Sequence, residues 1–377
     1  MNRYLFLILP FLFSFNGINA QPPSGYYSSA DGLAGYALKT ELKDIIDDID
    51  NGDGSSVHID QGYDGLWDAY QNQNSGDLDI YNTYENDNTI LDIYSENPNS
   101  ADPYNFTPGN DQCGNYQDEG DCYNREHSVP QSFFDSDSPM KSDYHSTFPT
   151  DGKVNGFRAA YPYGEVGSAS FTSANGSKRG TSSSPGYSGV VFEPIDEFKG
   201  DIARALFYFA TRYEDQLNNS NWEDPANNFL SSDSSQFYDQ WLIDVLLTWH
   251  QQDPVSQKEI DRNNNGFFHQ GNRNPYIDHP EYVIAVWDEE NFSTEDFSVV
   301  DIRFSSNPIT NGQLGLTLEN AHEGKMELYD ITGRKIREFR IEGKQQVVHL
   351  DFLANGVYIA KFSFGDKEIS KKLILQN

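Results

Sequence analysis

A carboxylate and an imidazole stand side by side at Glu126 and His127, and an amide and a guanidinium follow about thirty residues later at Asn155 and Arg158. These residue types suit metal-assisted cleavage of a phosphodiester, whose phosphorus is shielded by negative oxygens and resists attack by a lone side chain. A Mg2+ held by a few hard oxygen ligands neutralises the developing charge and leaves room for phosphate and water. A neutral histidine, with an ordinary pKa of ~6.5, can take the proton of the attacking water. On this reading Glu126 and Asn155 hold the metal and His127 is the general base. Mg2+ is the expected ion, with Mn2+ the alternative, because the ligands are hard oxygens and no Cys/His cluster in the sequence suits zinc. Arg158 lies one helical step of three after Asn155, so its guanidinium can face the same way and grip a phosphate bidentately. Arg273 is a comparable cation. Asp143 and His145 are expected behind the ligands, orienting them. Each residue also has a plainer use: a core histidine, an ion pair of Glu126 with Arg125, a helix cap at Asn155, a structural ion pair at Arg158.

These side chains need elements to carry them. Apolar spacing predicts a helix over 33–49, a short helix over 65–70, a strand over 89–95 and loop from 96 to 111. Further helices are predicted over 201–213 and 235–251, and together they form the obvious core. Cys113 and Cys122 sit in a loop rich in Gly, Asp and Asn that ends just before Arg125. Their pairing would fix the entry to the catalytic strand, and it requires an oxidising compartment. The run DRNNNG at 261–266 is similar to the opening of a calcium loop, but its twelfth position is Asn272 and not Glu, so a polar turn is the expectation.

Residues 1–20 read as a secretory signal: Arg3, then an apolar run, then Ala20 before Gln21. No later stretch is apolar for the roughly 20 residues that span a bilayer, so the mature protein is expected to be soluble and secreted or held at the cell surface. The net charge of −32 looks wrong for a protein that meets nucleic acid, yet it is unevenly spread. Residues 21–100 carry 16 acidic against 2 basic side chains, whereas 125–213 carry 10 against 9, so the chemically interesting region is near neutral. From 301 onward the balance turns to 11 basic against 10 acidic, and short alternating strands with turn residues indicate a small antiparallel sandwich. The domains are therefore read as 21–296 and 297–377.

The blocks NREHSVPQS (124–132), DYH (143–145), PTDGKVNGFR (149–158), YPYG (161–164), DIARA (201–205) and QGNRNPYID (270–278) occur in order. Together they make the region from about 25 to 281 resemble the bacterial endonuclease I family of extracellular nucleases, in the His-Me finger (ββα-metal) group. The resemblance implies an α+β fold: a strand bearing the histidine, a second strand, a helix presenting the asparagine around one divalent ion, and surrounding helices. It assigns His127 as base and Glu126 and Asn155 as ligands. One departure, His145 to Phe148 in place of a longer apolar pattern, falls between the ligands and bears on strand packing. The tail, through Asn307–Pro308, LYDITGRKI (328–336), LANGVY (353–358) and SKKLI (370–374), resembles a type IX secretion sorting domain. Its strand pattern alone would also suit a carbohydrate-binding module. The expectation is a monomeric, sequence-tolerant endonuclease acting on DNA, with RNA as a further candidate substrate and the secretion machinery as a second partner. The alternatives are an extracellular ribonuclease, or an inactive surface-binding adhesin.

Overall fold

Apolar residues four apart close helix α1 (Gly35–Ile46), whose Leu38, Leu42 and Ile46 are fully buried. The computed structural model describes residues 22–47, 57–217, 222, 229–288, 302–304, 309–310, 312–318, 324–330, 334–341, 343, 345–364 and 367–376. The expected signal peptide, the last turn expected of α1 and the expected junction at 296/297 lie outside them. The chain divides into two compact units, Met1–Asn291 and Phe292–Asn377.

In the first unit α2 (Gly65–Tyr70) forms as expected. The strand expected over 89–95 does not. The Asp92 carboxylate accepts the Tyr94 N–H, and its carbonyl accepts those of Ser95 and Glu96, so the chain turns there. Only an isolated bridge, Leu78 to Ile90, remains extended. Strand β1 (Tyr123–His127) then pairs antiparallel with β2 (Thr147–Asp151), His127 opposite Thr147. Strand β2 runs straight into α3 (Gly152–Arg158), because Asp151 accepts the Val154 N–H at 2.8 Å and caps the helix. A meander of β3 (Val166–Thr172), β4 (Lys178–Ser182) and β5 (Val190–Glu193) follows, which the sequence reading did not foresee.

The core is α4 (Lys199–Arg212), buried along its whole length, packed against α5 (Gln240–Gln252). Helix α5 starts later than expected because 230–238 forms a loop closed by a Leu230 to Tyr238 bridge. The expected polar turn at 261–266 is instead the middle of α6 (Gln257–Gln270), which a Ser256/Glu259 capping box starts and Gly271, at φ 88°, ends. Its asparagines are satisfied across the fold, Asn263 by the Asn274 carbonyl and Asn265 by that of Ala69. Asp261 accepts from Tyr81 and Gln257, so this run is no calcium loop. Short helices α7 (Pro275–Asp278) and α8 (Glu281–Trp287) complete the unit.

The second unit has β6 (Ile302–Phe304), β7 (Gln313–Leu318), β8 (Gly324–Asp330), β9 (Lys335–Ile341), β10 (Gln345–His349), β11 (Gly356–Phe364) and β12 (Lys367–Leu375). They form two antiparallel sheets, β10-β7-β6 and β12-β11-β8-β9, that share one buried core including Leu316, Met326, Phe362 and Leu373. This is the expected sandwich, with β6, β9 and β12 added to it. Among the described residues no helix is long and apolar enough to cross a membrane.

Candidate active site

One cleft of about 390 Å3 gathers Glu126 and His127 from the end of β1, Asn155 and Arg158 from α3, and Cys113 from the preceding loop. Three local devices hold these together. Cys113 and Cys122 form the expected disulfide, with Cα atoms 5.7 Å apart. The loop it closes is stitched to β1 by the Cys113 N–H donating to the Tyr123 carbonyl and the Tyr123 N–H to that of Asp111. Tyr116 of the same loop lies over the glycines of α3: a Cβ on Gly156 would come within 2.3 Å of its hydroxyl, and one on Gly152 within 2.6 Å of its ring. A side chain at either position would have to push Tyr116 off this face.

His127 is 6% exposed, and its Nε2 lies 3.0 Å from the Lys141 carbonyl. A carbonyl oxygen can only accept, so Nε2 carries the proton and Nδ1 keeps its lone pair. Burial pushes the imidazole down to about 4, with the Lys141 carbonyl resisting and the charges of Arg125 and Arg158 assisting. The ring is therefore neutral near pH 7 and able to accept a proton.

Glu126 is buried, and burial raises its carboxyl above the usual value against the pull of Arg158. Its Oε1 accepts from the hydroxyls of Tyr94 and Tyr163, both at 3.1 Å, and pairs with Arg158 at 3.0 Å. None of these contacts uses Oε2. Asn155 donates its Nδ2 to Asn124 Oδ1 at 2.8 Å and to the Arg125 carbonyl at 3.4 Å, so Oδ1 is its remaining donor atom. One carboxylate oxygen and one amide oxygen in a shared cleft fit a hard divalent cation such as Mg2+ or Mn2+. Cys113 is tied up in the disulfide and offers no thiolate to a softer ion.

The other expected site residues sit differently. Arg158 reaches the cleft but is 1% exposed, and its terminal nitrogens donate to the His127 and Ser128 carbonyls at 2.8 and 2.6 Å while pairing with Glu126. It holds Glu126 and the end of β1 in place, where a grip on phosphate was expected. Arg273 lies outside the cleft, bound at both Nε and Nη2 by Asp278 at 2.6 and 2.8 Å. Asp143 and His145 are core residues that do not line the cleft. Asp143 accepts from Tyr208, Tyr213, Gln270 and its own near neighbour His145 N–H, and the His145 ring packs at Gly266 with Nε2 3.0 Å from the Asn272 carbonyl. They anchor the start of β2 to α4 and α6.

The cleft also holds residues the sequence reading did not single out. The Arg125 guanidinium stacks on Tyr63 and Trp67 at 3.3 and 4.3 Å, with Nη1 on the Tyr63 carbonyl at 2.7 Å. Its place beside Glu126 in the block was the available signal; its aromatic partners come from a segment some sixty residues away.

A sequence model described as Endonuclease I matches residues 34–281, and one described as Secretion system C-terminal sorting domain matches 307–376. Two curated relatives, each named extracellular ribonuclease, come from Bacillus amyloliquefaciens and Bacillus subtilis (strain 168). Each is 31% identical over 265 residues, spanning 70% of this chain and 78% of the relative.

Proposed function

Because this chain belongs to the endonuclease I family and carries a secretion sorting domain, we propose that it is an exported, divalent-cation-dependent endonuclease of the His-Me finger type, cutting DNA and RNA without reading sequence. The observation that carries this reading is His127, a neutral base whose Nε2 proton is fixed on the Lys141 carbonyl while hard oxygen donors of Glu126 and Asn155 share its cleft.

Glu126 and Asn155 would hold Mg2+, with Mn2+ as the substitute. When bound, such an ion supplies charge neutralisation at the phosphate oxygens. His127 Nδ1 takes a proton from water as its oxygen attacks phosphorus, and the bond to the sugar oxygen breaks with its electron pair on that oxygen, which takes a proton from solvent. Arg158 keeps Glu126 and the β1 carbonyls in register, and Arg125, propped on two aromatic faces, offers a cation to a neighbouring phosphate. A backbone-directed grip of this kind reads no bases.

The ribonuclease reading is favoured by the names of the two Bacillus relatives, and the adhesin reading is disfavoured by the intact trio of Glu126, His127 and Asn155. Incubating full-length protein with plasmid DNA and with ribosomal RNA, with and without EDTA, tests all three. Cleavage of both, abolished by EDTA, is the expected result. Cleavage of RNA alone restricts the substrate, and full activity in EDTA overturns the metal assignment.

A further inference from the structure

Between α2 and β1 the chain makes an irregular excursion in which carboxylate oxygens of Glu85, Glu96 and Asp102 lie within 4.8 Å of one another. Glu85 is exposed and Asp102 half-buried, but Glu96 is 1% exposed. Neither of its carboxylate oxygens has a hydrogen-bond partner, and among the described residues none of the three carboxylates is in an ion pair. A buried carboxylate without donor or counter-charge is strongly disfavoured, and carboxylates converging on it make matters worse. Asp102 Oδ1 accepts the Asn97 N–H at 2.7 Å, which draws both sides of the excursion to this point. The arrangement lacks a positive charge at its centre.

We propose that Glu85, Glu96 and Asp102 form a calcium site separate from the catalytic cleft. All donors are oxygens on irregular chain, and their spread can be bridged by one ion at the ~2.3–2.6 Å that calcium prefers, with water filling its remaining positions. Mg2+, at ~2.0–2.1 Å and strict octahedral geometry, suits such a wide, loop-borne set less well. The affinity expected is that of extracellular modules, roughly 10⁻⁴–10⁻³ M.

The site also bears on the active site. Two residues before Glu96, the Tyr94 hydroxyl donates to Glu126; two further back, Asp92 accepts the N–H of Asp151, the cap of α3, at 2.7 Å. Calcium would close the excursion that braces both the carboxylate and the helix of the catalytic cleft.

The test uses full-length protein stripped of metal, in an Asn155→Ala background that weakens the catalytic metal site. Calorimetric titration with CaCl2 should show one site, and melting temperature should rise by several degrees at 5–10 mM calcium, roughly tenfold above the expected dissociation constant. Glu96→Gln should weaken binding at least tenfold and remove the shift. Should Glu96→Gln fail to fold, the exposed Glu85→Gln must weaken calcium binding in its place. Unchanged binding in both variants, or no calcium-dependent shift in the Asn155→Ala protein, refutes the site. An equal shift from Mg2+ at the same concentration refutes the choice of calcium.

Discussion

Replacing Arg158 by methionine separates a brace from a phosphate ligand. Methionine keeps length and apolar contact with the Tyr163 ring, over which the guanidinium lies at 4.5 Å, and removes the charge. Three interactions go with it: bonds to the His127 and Ser128 carbonyls at 2.8 and 2.6 Å and the ion pair to Glu126 at 3.0 Å. Hydrogen bonds to a charged group contribute ~1.5–3 kcal/mol each, but these three share one guanidinium and do not add. Breaking a buried pair, which strands the other charge, costs ~3–5 kcal/mol, and that is the expected loss. For a unit of this size it corresponds to a fall in Tm of roughly 10 °C. Urea unfolding followed by circular dichroism, paired with kinetics on a short oligonucleotide, is the assay. Activity should fall through kcat, because Glu126 and His127 are displaced. If the variant unfolds within ~1 kcal/mol of the parent at the same m-value, and KM alone rises, Arg158 touches substrate and the bracing argument is wrong.

His127→Ala should keep its fold and lose ~10²–10⁴ in turnover; a loss under tenfold on plasmid DNA would remove it as the base. Reducing the Cys113–Cys122 bond should lower stability by about 2–3 kcal/mol on the chain-entropy model, and activity with it, checked by melting curves with and without dithiothreitol. Burial pushes His250 down to about 4, with Arg204 assisting. The folded state then binds fewer protons than the unfolded one between its ordinary ~6.5 and 4, so stability should fall as pH drops through that window, by up to about 3 kcal/mol. His250→Gln should flatten that slope, and an identical pH profile would exclude this source of acid lability. At Ala159 the backbone has φ 52° and ψ −132°, a region that favours glycine. Ala159→Gly should therefore stabilise by about 1 kcal/mol, read as a shift in urea midpoint.

That Glu126, His127 and Asn155 share one cleft was legible because two are adjacent on one strand and the third follows directly from the second strand through a capped helix, all within about thirty residues. Helices with apolar periodicity were legible for the same local reason. What failed was partner choice. Arg158 and Arg273 look alike as sequence, yet one is held by Glu126 and two carbonyls and the other by Asp278. Asp143 reads as a site carboxylate until Tyr208 and Tyr213, some seventy residues on, supply its donors. The asparagines of α6 read as a turn because their satisfying carbonyls at 69 and 274 are outside the run. In the tail, β9 mixes Lys335, Arg337, Glu338 and Arg340 with Ile336 and Phe339, which blurs its alternation.

The proton on His127 is held by a main-chain oxygen, that of Lys141, and not by a side chain. Genetic change acts on side chains, so no substitution at position 141 deletes that acceptor. The choice of tautomer is thus insulated from point mutation in a way that a carboxylate partner would not be. A library randomised at position 141 would change the charge at the rim, its contact with Tyr63, 4.7 Å away, and its share in lowering the His127 pKa, while leaving the carbonyl acceptor in place. The weak points of this tautomer lie in whatever moves the 140–142 backbone.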